Sequence, residues 1–214
     1  MSALRFSSLI ILFPILFGAC GRSELIRIRM LAPVNEDKKD HAIFTDTESL
    51  SSFTPVITNK QIGGSLYFLF KSIGLGYTTI TTKMEKADEK LTEKTTLVTN
   101  FADVAFGIGE NYTFMWGAGV LTGGKWETSL EYGIKTFNPK HNYLGGHSLF
   151  FVLGHHGFGF ETLLGYRTNS IKAEFEEINP SDEDIGKTGK DFTYESNIIS
   201  LKTSQVQLGI GFTF

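Results

Sequence analysis

The last ten residues of the chain, QVQLGIGFTF (205–214), alternate without a break between large apolar residues and small or polar ones. Successive side chains of a β-strand point to opposite faces, so this alternation predicts a strand with two chemically different surfaces. One surface carries glutamine, glycine and threonine, and the other carries Val206, Leu208, Ile210, Phe212 and Phe214. The end of the chain is therefore predicted to separate an apolar environment from a polar one.

The same alternation recurs in segments 73–83, 111–121 and 157–170. A soluble barrel would turn its bulky residues inward and its polar residues outward. Here charged residues and glycine lie opposite the phenylalanines, which favours lipid outside and a polar interior. The predicted lipid face includes Ile26, Ile28, Leu66, Phe68, Phe70, Ile73, Leu75, Trp116, Phe160, Leu208 and Ile210, and the predicted interface aromatics are Tyr77, Tyr112, Trp116 and Tyr166.

After residue 23 the sequence contains no run of about 18 apolar residues, so it offers no membrane-spanning helix. Strands can cross a bilayer only as a closed barrel, because every backbone N–H and C=O group must be paired internally. Bacterial single-chain barrels have an even number of strands. We therefore predict an all-β fold, an eight-stranded antiparallel up-and-down transmembrane β-barrel, built from segments 24–31, 61–70, 73–83, 95–108, 111–121, 146–155, 157–170 and 193–214.

Short and long connections alternate between these predicted strands. The short turns are Lys71–Ser72, Gly109–Glu110–Asn111 and His155–His156–Gly157. Short periplasmic turns and long external loops are typical of such barrels. The polar segments predicted to form external loops lie near 32–58, 84–94, 122–145 and 171–192.

Two points of the strand assignment stay open. Segment 125–137 (KWETSLEYGIKTF) is also strand-like. We interpret it as an external hairpin extension, and the alternative is that it replaces 24–31 as the eighth strand. Segment 95–108 has Val104 with Asn100 on one face and Phe101 with Asp103 on the other, and its register stays open, since a β-bulge would reconcile its two faces.

The N-terminus is predicted to be an export signal. Arg5 precedes the apolar run FSSLIILFPILFGA (6–19), which has the length of a signal-peptide core and is too short to span a bilayer as a helix. We assign 1–22 to a signal peptide and 23–214 to the barrel. LFGAC (16–20) resembles a bacterial lipobox, which would make Cys20 a lipidated residue; ordinary cleavage near Ala19 is the open alternative.

The end of the chain resembles the assembly signal of bacterial outer-membrane proteins, a terminal aromatic residue with apolar residues at alternating positions before it. GFGFETLLGYR (157–167), a polar segment and then QLGIGFTF (207–214) together resemble small outer-membrane barrels of the broad OmpX/OmpW type, including uncharacterised spirochaete-like members. The resemblance implies the outer membrane of a Gram-negative-type (diderm) bacterium, contact with outer-membrane lipid, and delivery to the barrel-assembly machinery through the C-terminal strand. It carries over no functional residues.

Four charged residues are predicted to face the interior: Arg27, Arg29, Glu161 and Arg167. An eight-stranded barrel is only wide enough for its own side chains to fill it. Charges in a poorly solvated interior need partners. We therefore predict a structural ion-pair network and no open pore.

No motif in the sequence indicates a reaction, a cofactor or a metal. His141 and His147 do not match the spacing of a zinc site. Ser148 beside His147, with Glu131 in the neighbouring segment, supplies groups that a hydrolase could use, but nothing arranges them. The net charge of −3 argues against nucleic-acid binding.

We expect a structural or surface-interaction role, with an extracellular ligand reached through the loops as a candidate partner. The alternatives are a barrel that handles lipids or small hydrophobic molecules, which a laterally open wall or an interior cavity would favour, and an enzyme that modifies outer-membrane lipid.

Overall fold

The computed structural model describes residues 26–34, 56–87, 91–132, 135–138, 141–157, 159–175 and 198–214. Within these ranges no helix is long and apolar enough to cross a bilayer. The described residues form nine strands: β1 (Ile26–Pro33), β2 (Val56–Phe70), β3 (Ile73–Ala87), β4 (Leu91–Gly109), β5 (Tyr112–Tyr132), β6 (Lys135–Phe137), β7 (His141–Gly157), β8 (Phe160–Phe175) and β9 (Ile198–Thr213).

Eight of these strands form the wall of a closed antiparallel barrel. The sheet runs β4-β3-β2-β1-β9-β8-β7-β5, and the pairing of β4 with β5 closes it. β6 pairs only with the far end of β5, from Leu130 to Tyr132, and so is not a wall strand. The predicted eight-stranded antiparallel barrel is confirmed.

The first strand of the wall settles the open strand count. β1 pairs with β2 on one side and with β9 on the other. Residues 125–132 are not a separate wall strand, because they continue β5 and pair with residues 91–98 of β4. The alternative that replaced 24–31 with 125–137 is therefore wrong.

The β-bulge lies in β5 and not in the predicted strand 95–108. Asn100 pairs with Gly123 and Phe101 with Leu121, which leaves Thr122 as the extra residue. Odd-numbered residues of β5 face the interior before Thr122, and the even-numbered Trp126 and Thr128 face it afterwards. β4 keeps one alternation throughout, so its apolar and acidic residues share the inner face.

Two of the three predicted short turns stand where they were expected, and the third is displaced. Lys71–Ser72 and Glu110–Asn111 connect their strands, and Gly109 adopts a φ of 100° that an L side chain rarely tolerates. His155 and His156 lie within β7, paired with Thr162 and Glu161. The reversal comes later, where Gly159 has a φ of 85°.

The predicted loop boundaries are too wide. Residues 84–87 lie in β3 and residues 91–94 lie in β4. Residues 122–132 belong to β5, and residues 171–175 belong to β8. These strand ends carry polar residues on their outer face, so no apolar alternation marks them in the sequence. Backbone pairing with a neighbouring strand extends them instead.

The barrel has a lower and an upper region, which differ in how the wall is paired. In the lower barrel, from the short turns up to Val34, Val120 and His147, all eight strands are hydrogen-bonded in a ring. In the upper barrel, beyond that level, β1 has ended, and the β5–β7 pairing stops at Val120. Within the described ranges, the upper barrel therefore consists of a pair of facing sheets, β2–β5 and β7–β9.

Candidate functional site

The outer face of the lower barrel carries a band of exposed apolar side chains. On β2 it runs from Ile62 to Phe70, which corresponds to about 21 Å along the barrel axis for a strand tilted by about 40°. Transmembrane barrels have an apolar band of about 25 Å. Its exposed members include Leu66, Phe68, Phe70, Ile73, Leu75, Val104, Leu149, Phe151, Leu153, Phe160, Leu164, Leu208, Ile210 and Phe212.

Aromatic residues lie within this band and at its margins. Trp116 stacks on Phe114 with ring centroids 5.3 Å apart. Tyr112, at the short-turn end, is 77% exposed and contacts the ring of His155. Tyr77 and Tyr166 are also exposed, and they pair in register with Leu66 and Phe151, within the band. The ring of Tyr112 therefore matches the interface position that tyrosine and tryptophan prefer.

Among the described residues, two buried ion pairs stand out, and the lower one joins β1 to β8 across the strand between them. Arg29 donates from Nε and Nη2 to the two carboxylate oxygens of Glu161, at 2.7 and 2.8 Å. Both residues pair in register with Gly211 of β9, which contributes no side chain. A Cβ at Gly211 would lie 2.7 Å from Glu161 Oε2, so glycine there leaves the space that the ion pair fills. Arg29 also donates to Thr113 Oγ1 on the opposite wall, at 2.8 Å.

The upper of the two pairs joins β8 to β4, nearly across the barrel. Arg167 donates to the two oxygens of Asp103 at 2.8 and 2.9 Å, and neither side chain is exposed. Thr78 donates to Asp103 Oδ2 at 2.6 Å, so this carboxylate has a further partner. Bidentate geometry and the added hydroxyl partner are the conditions under which a buried ion pair is tolerated.

The guanidinium of Arg167 is also held by neutral groups and aromatic rings. It donates to Ser148 Oγ, to Tyr67 Oη at 3.1 Å and to Asn169 Oδ1 at 3.1 Å. The rings of Phe101 and Phe150 lie 4.8 and 5.3 Å from its central carbon. Arg167 is therefore enclosed by hydrogen-bond acceptors and aromatic rings, which makes it the best-connected charge in the described interior.

The four charges predicted from the sequence do not form one network. Arg29 and Glu161 meet, and Arg27, beside them, donates to the carbonyl of Gly109 at 2.9 Å. Arg167 lies in the other pair, and the acid of that pair, Asp103, is not among the four predicted charges. The apolar residues on the same face of β4 obscured Asp103 in the sequence. Gly76 and Gly119, which pair with Asp103 in register on its two sides, were the signal that could have revealed it.

The interior is more apolar than the sequence predicted. Glycines facing the interior leave room for large side chains: Tyr67 lies beside Gly76, and Phe150 beside Gly117. The apolar layer between the two ion pairs consists of Leu31, Tyr67, Leu69, Ala105, Met115, Phe150, Val152 and Leu163. A second apolar cluster fills the space between the two sheets of the upper barrel: Met84, Leu97, Phe101, Trp126, Ile171, Ala173 and Leu201.

The residues considered for catalysis are not brought together. Ser148 is buried and accepts from Arg167, whereas the neighbouring His147 faces outward and is exposed. Glu131 accepts from Lys94 Nζ at 3.0 Å on the outer surface of the upper barrel, and this contact raises the pKa of Lys94.

The histidines are separated from one another as well. His141 Nε2 accepts from the backbone N–H of Trp126 at 3.2 Å, which links the two sheets. His155 and His156 are consecutive in β7, so their side chains point to opposite faces. Among the residues that the structure describes, no group of three or more His, Cys, Asp or Glu side chains could hold a metal ion.

Several predicted features lie outside the described residues. They are the signal peptide at 1–22, the candidate lipidation site Cys20, and most of the predicted external segments 32–58 and 171–192.

Two solved structures resemble this fold. One is the outer membrane protein OprG from Pseudomonas aeruginosa, with 12% identity over 88% of this chain and 95% of that chain and a TM-score of 0.42. The other is Neisserial surface protein A (NspA), with 12% identity over 91% of this chain and 100% of that chain and a TM-score of 0.39. No protein-family model and no curated protein matches the chain. At this identity and TM-score neither similarity assigns a role.

Proposed function

We propose that the chain is an integral outer-membrane barrel with a structural or surface-interaction role, that its interior is closed to ions, and that it has no catalytic role. The observation that carries this proposal is the combination of an apolar outer band with an interior bridged by two buried ion pairs. A band of this kind needs hydrocarbon around it. An interior filled by side chains in this way argues against a continuous aqueous path for an ion.

The hydrogen bonds across the interior support a plug. Arg167 and Asp103 come from strands on different sides of the barrel, and Tyr67, Thr78 and Ser148 hold them there. Taking a guanidinium out of water is costly unless its donors are satisfied, so this arrangement resists opening. Apolar side chains pack below the pair and above it, which disfavours water on both sides.

The polar outer surface of the upper barrel supports a role outside the hydrocarbon. Above the band the outward residues include the ion pairs Lys94–Glu131 and Lys125–Glu127. Charged outward residues are incompatible with lipid chains but suit water or headgroups. An extracellular partner would meet this region of the described chain.

Membrane fractionation, gel migration with and without heating, and planar-bilayer recording test the proposal. We expect the protein in the outer-membrane fraction, a folded form that migrates differently after boiling, and no steady conductance. Recovery in the soluble periplasmic fraction would contradict the membrane assignment. A reproducible ohmic conductance from the folded form would contradict the closed interior.

Orientation is tested with one added cysteine at each end of the barrel, and the wild type is the control for Cys20. Ser200→Cys lies on the outer face of the upper barrel, and Ser72→Cys lies in a short turn. On intact cells, a membrane-impermeant thiol reagent should label the first variant and not the second, while both should be labelled after lysis. Labelling of Ser72→Cys alone would reverse the proposed orientation.

Assembly through the C-terminal strand is tested by removing its last aromatic residue. Phe214 exchanges two backbone hydrogen bonds with Ile26, and its side chain is 70% exposed, so little interior packing depends on its ring. Deleting Phe214 should lower the yield of folded barrel in cells much more than in refolding from urea into vesicles. Equal losses in both would point to a purely structural role for this residue.

A further inference from the structure

Two lysines face each other on the outer surface of the barrel, just above the apolar band. Lys60 of β2 and Lys83 of β3 are paired in register, and both are exposed. Side chains that are directly opposite on one face of an antiparallel pair have Cβ atoms about 5 Å apart, and like charges there destabilise the pair. The fold therefore places two positive charges where they repel each other.

Neither lysine has an ion-pair partner among the described residues, and this sets them apart from their neighbours. Lys94 contacts Glu131, and Lys125 contacts Glu127. The nearest acid on β3, Glu85, lies two residues from Lys83 on the same outer face, pairs in register with Thr58 and Lys94, and forms no ion pair with Lys60 or Lys83. Within the described ranges, the Lys60–Lys83 pair thus carries two positive charges without an ion-pair partner.

The position of the pair points to its counter-charge. Lys60 is the first outward residue of β2 beyond Ile62, which is 52% exposed and forms the margin of the band. A lysine side chain at such a margin extends its ammonium group toward the headgroup level. On the other side of β1, Lys172 and Lys202 lie diagonally on the outer face of β8 and β9, also without an ion-pair partner in the described ranges.

We propose that Lys60 and Lys83 form a binding site for the phosphate group of an anionic lipid. This inference rests on the proposed membrane function. A phosphate between the two ammonium groups replaces like-charge repulsion with two charge-assisted hydrogen bonds. The acyl chains of the same lipid then lie along the apolar band, which runs downward from Ile62.

Titration of the folded full-length protein in detergent, followed by native mass spectrometry, tests the site. The probes are phosphatidic acid, phosphatidylcholine and inorganic phosphate. Each lysine near an anionic membrane surface contributes a factor of about five in affinity, so Lys60→Gln/Lys83→Gln should weaken phosphatidic acid binding by roughly tenfold or more. Lys94→Gln/Lys125→Gln makes the same change in net charge at ion-paired positions, and it should weaken binding less than about twofold.

Each outcome decides the proposal. Selective loss in the Lys60/Lys83 variant, with phosphatidylcholine binding unchanged, supports it. Equal losses in both double variants would indicate a general charge effect and overturn it, and so would binding of inorganic phosphate as tight as that of phosphatidic acid. If the two glutamines impair folding, Lys60→Thr/Lys83→Thr is used instead, because threonine has a high strand propensity. Failure of the wild type itself to fold as a heat-modifiable barrel would instead contradict the proposed function.

Discussion

The lower barrel and the upper barrel share most of their strands but are stabilised in different ways. In the lower barrel every strand is hydrogen-bonded on both sides, and buried charges cross the interior. In the upper barrel a pair of sheets face each other across an apolar core that contains Trp126. The seams between these sheets begin beside Val34 and Val120, which are exposed apolar residues.

A barrel wall has to be closed where hydrocarbon surrounds it. In hydrocarbon, each unpaired N–H or C=O group of a strand edge costs several kcal/mol, as an unsatisfied buried polar group does. No seam between the sheets can therefore reach into the apolar band. Outside the band, water can satisfy an edge, and the sheets can separate. The lower barrel therefore depends on complete pairing and buried ion pairs, whereas the upper barrel depends on apolar packing.

The largest effect should come from breaking the ion pair in the middle of the barrel. Asp103→Ala leaves Arg167 buried without its counter-charge, which should lower the free energy of unfolding by about 3–5 kcal/mol. Urea unfolding in lipid vesicles measures the change. Asp103→Ala/Arg167→Met should recover some of the loss. If Asp103→Ala were no more destabilising than the exposed control Glu127→Ala, the interior pair would not support the barrel.

The lower ion pair should show selective coupling. Glu161→Ala should destabilise the barrel less when Arg29 is already alanine, with a coupling energy of about 0.5–3 kcal/mol. Coupling to Arg27→Ala should be smaller, because Arg27 donates to the carbonyl of Gly109. A double-mutant cycle on each pair distinguishes the two arginines. Identical coupling would show that the charges act at long range and not through contact.

The glycine beside the lower pair should tolerate no side chain. Gly211→Ala places a methyl group 2.7 Å from Glu161 Oε2 and 3.2 Å from Arg29 Cγ, which should cost about 1–3 kcal/mol. The matched control is Gly123→Ala in the upper barrel, where the nearest atom is 3.9 Å away. The control should be neutral or slightly stabilising. Equal effects on the midpoint of urea unfolding would mean that the space over Gly211 is not needed for the pair.

The smallest effect on global unfolding should come from the core of the upper barrel. Trp126→Ala removes a buried side chain from between the two sheets, but the lower barrel stays closed without it. We expect faster hydrogen exchange in residues 124–129 and unchanged exchange in 113–119, because the upper barrel can open locally. Faster exchange in both segments would show that the two regions unfold as one unit.

The outward face was predictable because it follows from each strand alone. Phe68, Leu75 and Leu208 are exposed as the alternation predicted, since direction is set by position in the strand and needs no knowledge of the neighbours. The inward face was predictable only to a limited extent. Whether Leu163 or Phe150 can point inside depends on a glycine on a neighbouring strand, and that depends on register.

Asp103 illustrates the limit. It lies 64 residues from Arg167 in the chain, and the two meet only because the wall closes on itself. The bulge at Thr122 also depends on residues that are distant in the chain, because the pairing of β5 with β4 defines it. Neither feature has a local pattern in the sequence.

By itself, the sequence determined the period-two alternation and two of the short turns, because each depends on residues that are close together in the chain. The even strand number and the antiparallel order followed from the rules for single-chain barrels. The tertiary structure decided which interior charges meet, where the bulge lies, and where the wall divides into two sheets. Those outcomes depend on the register of distant strands, which is set by closure of the barrel and by the glycines that leave room inside it.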